Sequence, residues 1–162
     1  FIKLNGKTIK NWDYEEKGAH GKTTMTGVIE GSLNTGAAHA ASLIGKDIFY
    51  NYLVKFGFNQ TTGSELPGEV TSDIKKLKSS SKDVDFATAS FGQGREMTTL
   101  QLFRAISVIA NGGKMANPYI VKKIIKDEKE IITQPKVSQN LIVSQDAVNQ
   151  VTSMMINVIE KG

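Results

Sequence analysis

The sequence predicts a predominantly α fold of the α+β class, with one short β-hairpin near residues 119–133, and three observations carry that reading. Apolar residues recur at helical spacing in several stretches. Glycines stand just past the ends of those stretches, where left-handed backbone closes a helix. Strand-like alternation is confined to short runs beside turn residues. With 162 residues, 40% of them hydrophobic and 22% charged, the chain can bury a real core. No repeat or linker divides it, so 1–162 reads as a single partial domain.

Taken in order, Phe1 to Thr8 alternates weakly and carries Asn5-Gly6, a hairpin dipeptide. Ile9 to His20 is irregular, and Trp12 is expected to anchor it by burial. From Thr23, Met25, Val28 and Ile29 share one helical face until Gly31. A second helix, Thr35 to Ile44, is nearly all alanine and small residues, which lets backbones approach closely. Gly45 ends it in a left-handed conformation that β-branched residues resist. Asp47 to Phe56 spaces Ile48, Tyr52 and Phe56 four apart, a third helix closed by Gly57.

Pro67 breaks regular structure over 63–68, and the polar, lysine-rich run from Glu69 to Asp83 reads as a solvated loop. Thr98 can cap a helix through Asn111. Leu100, Phe103, Ile106 and Ala110 lie on one side of it with Leu102 and Ile109 nearby, so it is expected to be the buried central helix. Gly112-Gly113 stops it. Tyr119-Ile120-Val121 and Ile131-Ile132 read as two short strands around a charged turn, Lys126 to Glu130. Ser144 then caps a final helix, with Val148, Val151, Met155 and Val158 at helical spacing, ending at Gly162.

Net charge is +4, and the excess is lysine. Lys75, Lys76, Lys78 and Lys82 sit among serines with no aromatics interleaved, which points to a solvated run and away from nucleic acid. The absence of cysteine excludes disulfides and thiolate metal sites. No apolar run approaches the roughly 20 residues of a membrane helix. The chain opens at Phe1 inside a strand-like pattern, and its termini read as cut from a longer polypeptide.

Ser32-Leu33-Asn34 is the foremost candidate for chemistry, because it sits in a tight turn between two helices. Such a turn can push a hydroxyl and an amide into a cleft. The letters alone say little: with 12 serines and 10 asparagines, chance delivers about one match, and Ser138-Gln139-Asn140 in a polar loop is taken as that match. Ser72-Asp73-Ile74-Lys75 and Ser79-Ser80-Ser81-Lys82 fit a Ser-x-x-Lys nucleophile pattern. That chemistry needs a rigid, mostly buried helix on which lysine can lose its proton, and both lie in the lysine-rich loop. Lys-Thr-Gly is absent. The Gly-Lys-Thr triplets lack the upstream glycine of a phosphate-binding loop, position 16 being Glu16.

Two histidines without a ligating partner at helical spacing make no metal site. His39 is expected at a packing edge, and His20 to satisfy backbone groups near Trp12. Ser90-Phe91-Gly92-Gln93-Gly94 is a glycine-bearing turn, read either as a plain interhelical turn or as one whose Gln93 lines a pocket.

Several segments, in order, carry a resemblance. They are Ile9 to Trp12, His20-Gly21, Ser32-Leu33-Asn34, Tyr52-Leu53 through Phe58, and Thr62-Gly63 through Glu69. Ser90 to Gly94, Thr98 to Leu102 and Ile109 to Gly113 complete the series. The chain resembles the transpeptidase domain of penicillin-binding proteins, most of all the class B enzymes of cell elongation and division. The resemblance implies the helical lobe of that domain, without its flanking Ser-x-x-Lys and Lys-Thr-Gly motifs. It implies a serine acyl-enzyme reaction on peptidoglycan stem peptides, which β-lactams block, and no cofactor.

By position, Ser32 would relay a proton to the leaving amine. Asn34 would hold the substrate's acylamino carbonyl and orient the lysine. Gln93 would contact substrate. The segment alone is expected to be inactive, to need the rest of its polypeptide, and to self-associate through uncovered apolar surface. The parent is expected on the outer face of the bacterial cytoplasmic membrane, anchored by a helix outside this chain. Two alternatives stay open: a catalytically silent homologue that senses β-lactam or muropeptide, and an unrelated helical interaction domain.

Overall fold

In the computed structural model, which describes residues 1–78, 81–94 and 96–161, Asn5-Gly6 turns the chain back with both residues left-handed, at φ 46° and 75°. That geometry matches strand twist and pairs β1 (Ile2–Leu4) with β2 (Lys7–Ile9), Ile2 opposite Ile9. The chain divides into two units. The first comprises Phe1–Tyr52, Ile74–Arg95 and Asn149–Gly162, the second Leu53–Asp73 and Glu96–Val148.

In the first unit α1 (Tyr14–Lys17) precedes α2 (Met25–Glu30), whose cap is Thr24 accepting from the Gly27 amide at 3.1 Å. α3 (Asn34–Ile44) follows, then α4 (Lys46–Lys55), which runs past the unit boundary. α5 (Asp83–Ser90) carries Asp83 and Asp85 in its first turn, where they complement the helix dipole. The core joins Ile9 of the hairpin to Ala38 of α3 and Ala87 of α5, flanked by Ile2, Leu4 and Phe91. Small residues let α3 approach both neighbours. Gly36 is the tightest point, since a Cβ there would lie within 2.6 Å of a Val28 methyl.

Several expectations change here. Trp12 does not anchor its segment by burial, being 67% exposed; Asn11 and Asp13 are the buried residues. Ile48 and Tyr52 mark α4 as helical yet stay exposed. The stretch 69–83 is not wholly solvated, because Ser72, Ile74 and Leu77 are buried, Leu77 in a short 3-10 turn (Lys75–Leu77). α5 itself gives no periodic signal, since Val84, Phe86, Ala87 and Ala89 follow no single face.

The second unit is built on α6 (Thr99–Ala110). Thr98 accepts from the Gln101 amide at 3.1 Å while the Gln101 side chain accepts from the Thr98 amide at 3.1 Å, a capping box. The buried face is the reverse of the one expected. Gln101, Arg104, Ala105 and Val108 are buried, whereas Phe103 is 62% and Ile106 53% exposed.

The cause lies in the irregular loop 57–61. Its carbonyls lack secondary-structure partners, and buried carbonyls need donors. Gln101 Nε2 donates to Phe58 O at 3.2 Å and Gln60 O at 2.9 Å. Arg104 donates to Gly57 O at 2.6 Å and Thr61 O at 3.0 Å. Ser72 Oγ donates to Gln101 Oε1 at 2.7 Å, so this serine holds structure. Gly57 sits at φ 78°, and a Cβ there would reach 2.9 Å from the Arg104 Cζ. Only glycine fits both demands.

After α6 come β3 (Lys114–Ala116), β4 (Lys123–Lys126), β5 (Lys129–Ile132) and β6 (Val137–Leu141). β4 and β5 make the expected hairpin, with Asp127 and Glu128 as its left-handed turn at φ 50° and 62°. Its first strand starts at Lys123, not Tyr119, because the Ile120 amide instead donates to Glu65 Oε2 at 2.9 Å. β3 pairs antiparallel with β6 through a register shift. Ser138 therefore lies on a strand, not in a loop, and accepts from the Met115 amide at 3.0 Å. The Ser144 hydroxyl accepts from the Ala147 amide at 3.2 Å and starts α7 (Gln145–Lys161). The expected end at Gly162 lies outside the described residues.

Replacing Arg104 with methionine strips charged donors from the buried Gly57 carbonyl and the part-buried Thr61 carbonyl, and should cost about 3 kcal/mol. Phe103→Gln on the exposed face should stay within about 0.5 kcal/mol. Urea titration of residues 1–162 checks the contrast, which would invert if the apolar face were the buried one.

Candidate functional site

The turn joining α2 to α3 forms from the end of α2. The amides of Gly31, Ser32 and Leu33 return to the carbonyls of Gly27, Ile29 and Val28 at 3.0, 3.1 and 2.9 Å. Ser32 is left-handed, φ 48°, without being glycine or asparagine, and its side chain is exposed. Strain of that kind persists only where surrounding contacts fix the backbone. Leu33 is buried beside it, 5% exposed, and Asn34 is the first residue of α3.

The contacts that fix the turn come from residues 10–12. Trp12 Nε1 donates to Gly31 O at 2.9 Å. Asn11 Oδ1 accepts from the Thr35 amide and the Thr35 hydroxyl, both at 3.0 Å. Leu33, at the N-cap position, makes no side-chain cap, so Asn11 supplies from a distant segment the acceptor that a helix N-terminus needs. Asn34 Nδ2 donates to Lys10 O at 2.9 Å. A carbonyl only accepts, so this bond settles the orientation of the Asn34 amide. Its oxygen and its second N–H remain for other partners.

Asn34 and Gln93 line one open hollow of about 510 Å³, together with Lys10, Asp85, Thr88 and Phe91. Gln93 reaches it from the turn after α5, where its amide donates to Thr88 O at 2.9 Å. Ser32, two residues before Asn34, is not among the lining residues. Lys10 Nζ donates to Glu15 Oε1 at 2.6 Å, and that bond raises its pKa. The hollow thus brings together the side-chain amides of Asn34 and Gln93, groups suited to a peptide-like ligand.

His20 does not satisfy backbone groups as expected. Its Nε2 lies 2.9 Å from both carboxylate oxygens of Asp13, which is buried. Lys17 lies 3.5 Å from the same carboxylate. The hydrogen bond from His20, aided by the nearby Lys17 ammonium, holds Asp13 below its ordinary value of 3.8. His39 is exposed on α3. Among the described residues no group of three His, Cys, Asp or Glu could hold a metal. Of the Ser-x-x-Lys matches, Ser72 is committed to Gln101; Ser79 and Ser80 lie outside the described residues. The site residues that sequence reading missed are Lys10, through its carbonyl, and Asn11. A main-chain acceptor leaves no trace in composition, and a lone asparagine in an irregular run gives no periodic signal.

Comparison with known proteins places the chain in a family. The model of the penicillin binding protein transpeptidase domain matches residues 1–162. Stage V sporulation protein D of Bacillus subtilis is 30% identical over 161 residues, covering 98% of this chain and 24% of that protein. Peptidoglycan D,D-transpeptidase FtsI of Escherichia coli is 28% identical over 160 residues, covering 99% of this chain and 24% of that protein. The chain thus spans about a quarter of the length of the curated relatives it matches. Penicillin binding protein 3 of Mycobacterium tuberculosis superposes in its apo form with a TM-score of 0.84. The identity there is 29%, over 99% of this chain and 35% of that one. The same protein complexed with aztreonam gives 0.76. Among the described residues no helix is long and apolar enough to cross a membrane.

Asn11→Ala should cost about 1–2 kcal/mol as a lost cap, while Asn11→Asp, which keeps the acceptor, should stay near wild type. Thermal unfolding of both variants decides this. The depressed Asp13 pKa fixes a second sign. Its ionised form stabilises the fold above the ordinary carboxylate range, and that contribution disappears as pH falls through the lowered value. The stability gap between wild type and Asp13→Asn should therefore be largest near neutrality and close below about pH 4. Denaturant midpoints across pH 3–7 measure it, and a gap that widens on acidification would contradict the assignment.

Proposed function

The chain belongs to the penicillin binding protein transpeptidase domain family, and on that premise we propose that it forms one wall of the active site of a peptidoglycan D,D-transpeptidase. The nucleophile and the opposite wall then lie in sequence outside residues 1–162. The reaction joins stem peptides in two balanced steps. A serine oxygen adds to the carbonyl of the penultimate D-alanine, the C–N bond breaks, and terminal D-alanine leaves with the serine's proton. An amine of a second strand then adds to the ester carbonyl, releasing the serine and returning its proton.

Ser32 is assigned the proton relay, because a hydroxyl donates and accepts in turn. Asn34 is assigned two tasks: its oxygen accepts from the lysine ammonium, and its remaining N–H donates to the substrate's acylamino carbonyl. Gln93 supplies a further amide contact. The observation that carries this reading is that Asn34 and Gln93, far apart in sequence, line one hollow beside the left-handed Ser32 turn. A β-lactam enters the same site as a mimic of the D-alanyl-D-alanine end.

By itself the segment is inactive in this reading. It joins the rest of its polypeptide at the outer face of the membrane, and the exposed Phe103 and Ile106 lead it to self-associate when isolated.

Fluorescent penicillin labelling of the full-length protein tests the assignment. Ser32→Ala and Asn34→Ala should each slow acylation by about 10²–10⁴-fold, and residues 1–162 alone should take no label. Wild-type acylation rates in both variants would remove Ser32 and Asn34 from the mechanism. Covalent labelling of the isolated segment would overturn its inactivity.

A further inference from the structure

We propose that Asn11 and Trp12 are positioning residues that set the backbone of the Ser32–Asn34 turn, an inference that rests on the reading of Ser32 and Asn34 as site residues. Each holds one peptide plane. The Gly31 carbonyl belongs to the peptide between Gly31 and Ser32, whose rotation sets φ of Ser32. Trp12 Nε1 grips that carbonyl at 2.9 Å, and Ser32 takes the left-handed φ of 48° that serine does not choose unaided. The Thr35 amide belongs to the peptide between Asn34 and Thr35, whose rotation sets ψ of Asn34. Asn11 Oδ1 grips that amide, and the Thr35 hydroxyl as well, at 3.0 Å. Between the two, Lys10 O orients the Asn34 side chain at 2.9 Å. Consecutive residues of an irregular segment thus fix the peptides on both sides of the turn and the amide within it.

Trp12 is the telling member. Trp12 is 67% exposed within residues 1–162, so packing inside this segment does not explain why the indole is held there. One end is fixed by the Gly31 carbonyl, and Lys17 Nζ stands 5.5 Å from the ring centroid. An indole held this way works as a rigid N–H donor. Displacing a reacting group by about an ångström costs as much as a hundredfold in rate, so loss of this donor should appear in catalysis before it appears in stability.

The test uses the full-length protein and the second-order rate of acylation by a fluorescent penicillin, alongside the thermal midpoint. Trp12→Phe removes the N–H and keeps a ring beside Lys17. It should slow acylation roughly tenfold at the wild-type thermal midpoint. Asn11→Ala should be slow, and Asn11→Asp, which restores the acceptor, should recover most of the rate. Wild-type rate in Trp12→Phe, or Asn11→Asp as slow as Asn11→Ala, overturns the proposal. Ser32→Ala and Asn34→Ala, run in parallel, separate the two readings. If these are slow while Trp12→Phe is unaffected, only the positioning role falls. If these retain the wild-type rate, the site assignment itself falls.

Discussion

Irregular backbone in this chain is made tolerable by side-chain amides and guanidinium groups that complete its hydrogen bonding, and both units depend on that arrangement. In the first, the start of α3 has no local cap, so Asn11 supplies one from a segment more than twenty residues earlier. In the second, the carbonyls of 57–61 are met by Gln101 and Arg104, one helical turn apart on α6. A buried peptide group without a partner costs about as much as a lost hydrogen bond. Within residues 1–162 these polar residues therefore outrank apolar ones in deciding which helix faces turn inward.

That ranking explains what could and could not be read from the sequence. Helices closed by glycine were legible because Gly31, Gly45, Gly57 and Gly112 punctuate apolar periods, and Thr98 with Gln101 spelled out a capping box. Asn5-Gly6 announced its hairpin. Orientation was not legible where a polar pair overrode hydrophobicity. In α6 the larger apolar residues, Phe103 and Ile106, face out while Gln101 and Arg104 face in. Periodicity counts apolar residues, and the decisive demand came from carbonyls of another segment. β6 escaped for a related reason: Val-Ser-Gln-Asn-Leu looks like a loop, and its pairing with β3 is set by partners distant in sequence. α5 has too few apolar residues on one face to announce itself.

The candidate site was legible in its letters and illegible in its mechanics. Ser32-Leu33-Asn34 stood out because of the helices around it, and Gln93 because of its glycine-flanked turn. Nothing in the sequence said that Asn34 would spend one N–H on the Lys10 carbonyl, or that Asn11 and Trp12 would hold the peptides on either side. Trp12 drew notice as a large apolar residue, which suggests burial. Its role follows instead from the one polar atom it owns, Nε1.

The same bonds bear on how an amide can serve two partners at once. A freely rotating asparagine would present either end to the hollow, and half of its orientations would offer the wrong group to a cation or a carbonyl. With one N–H fixed on Lys10 O, the oxygen and the second N–H point in defined and different directions. Orientation of this kind is set when the chain folds and need not be recovered at each turnover, which is how preorganised donors and acceptors gain over water. The left-handed Ser32 belongs to the same design: its conformation costs free energy that the turn's own contacts must offset. A glycine there would relieve the strain but leave no hydroxyl, the group that the proposed proton relay requires.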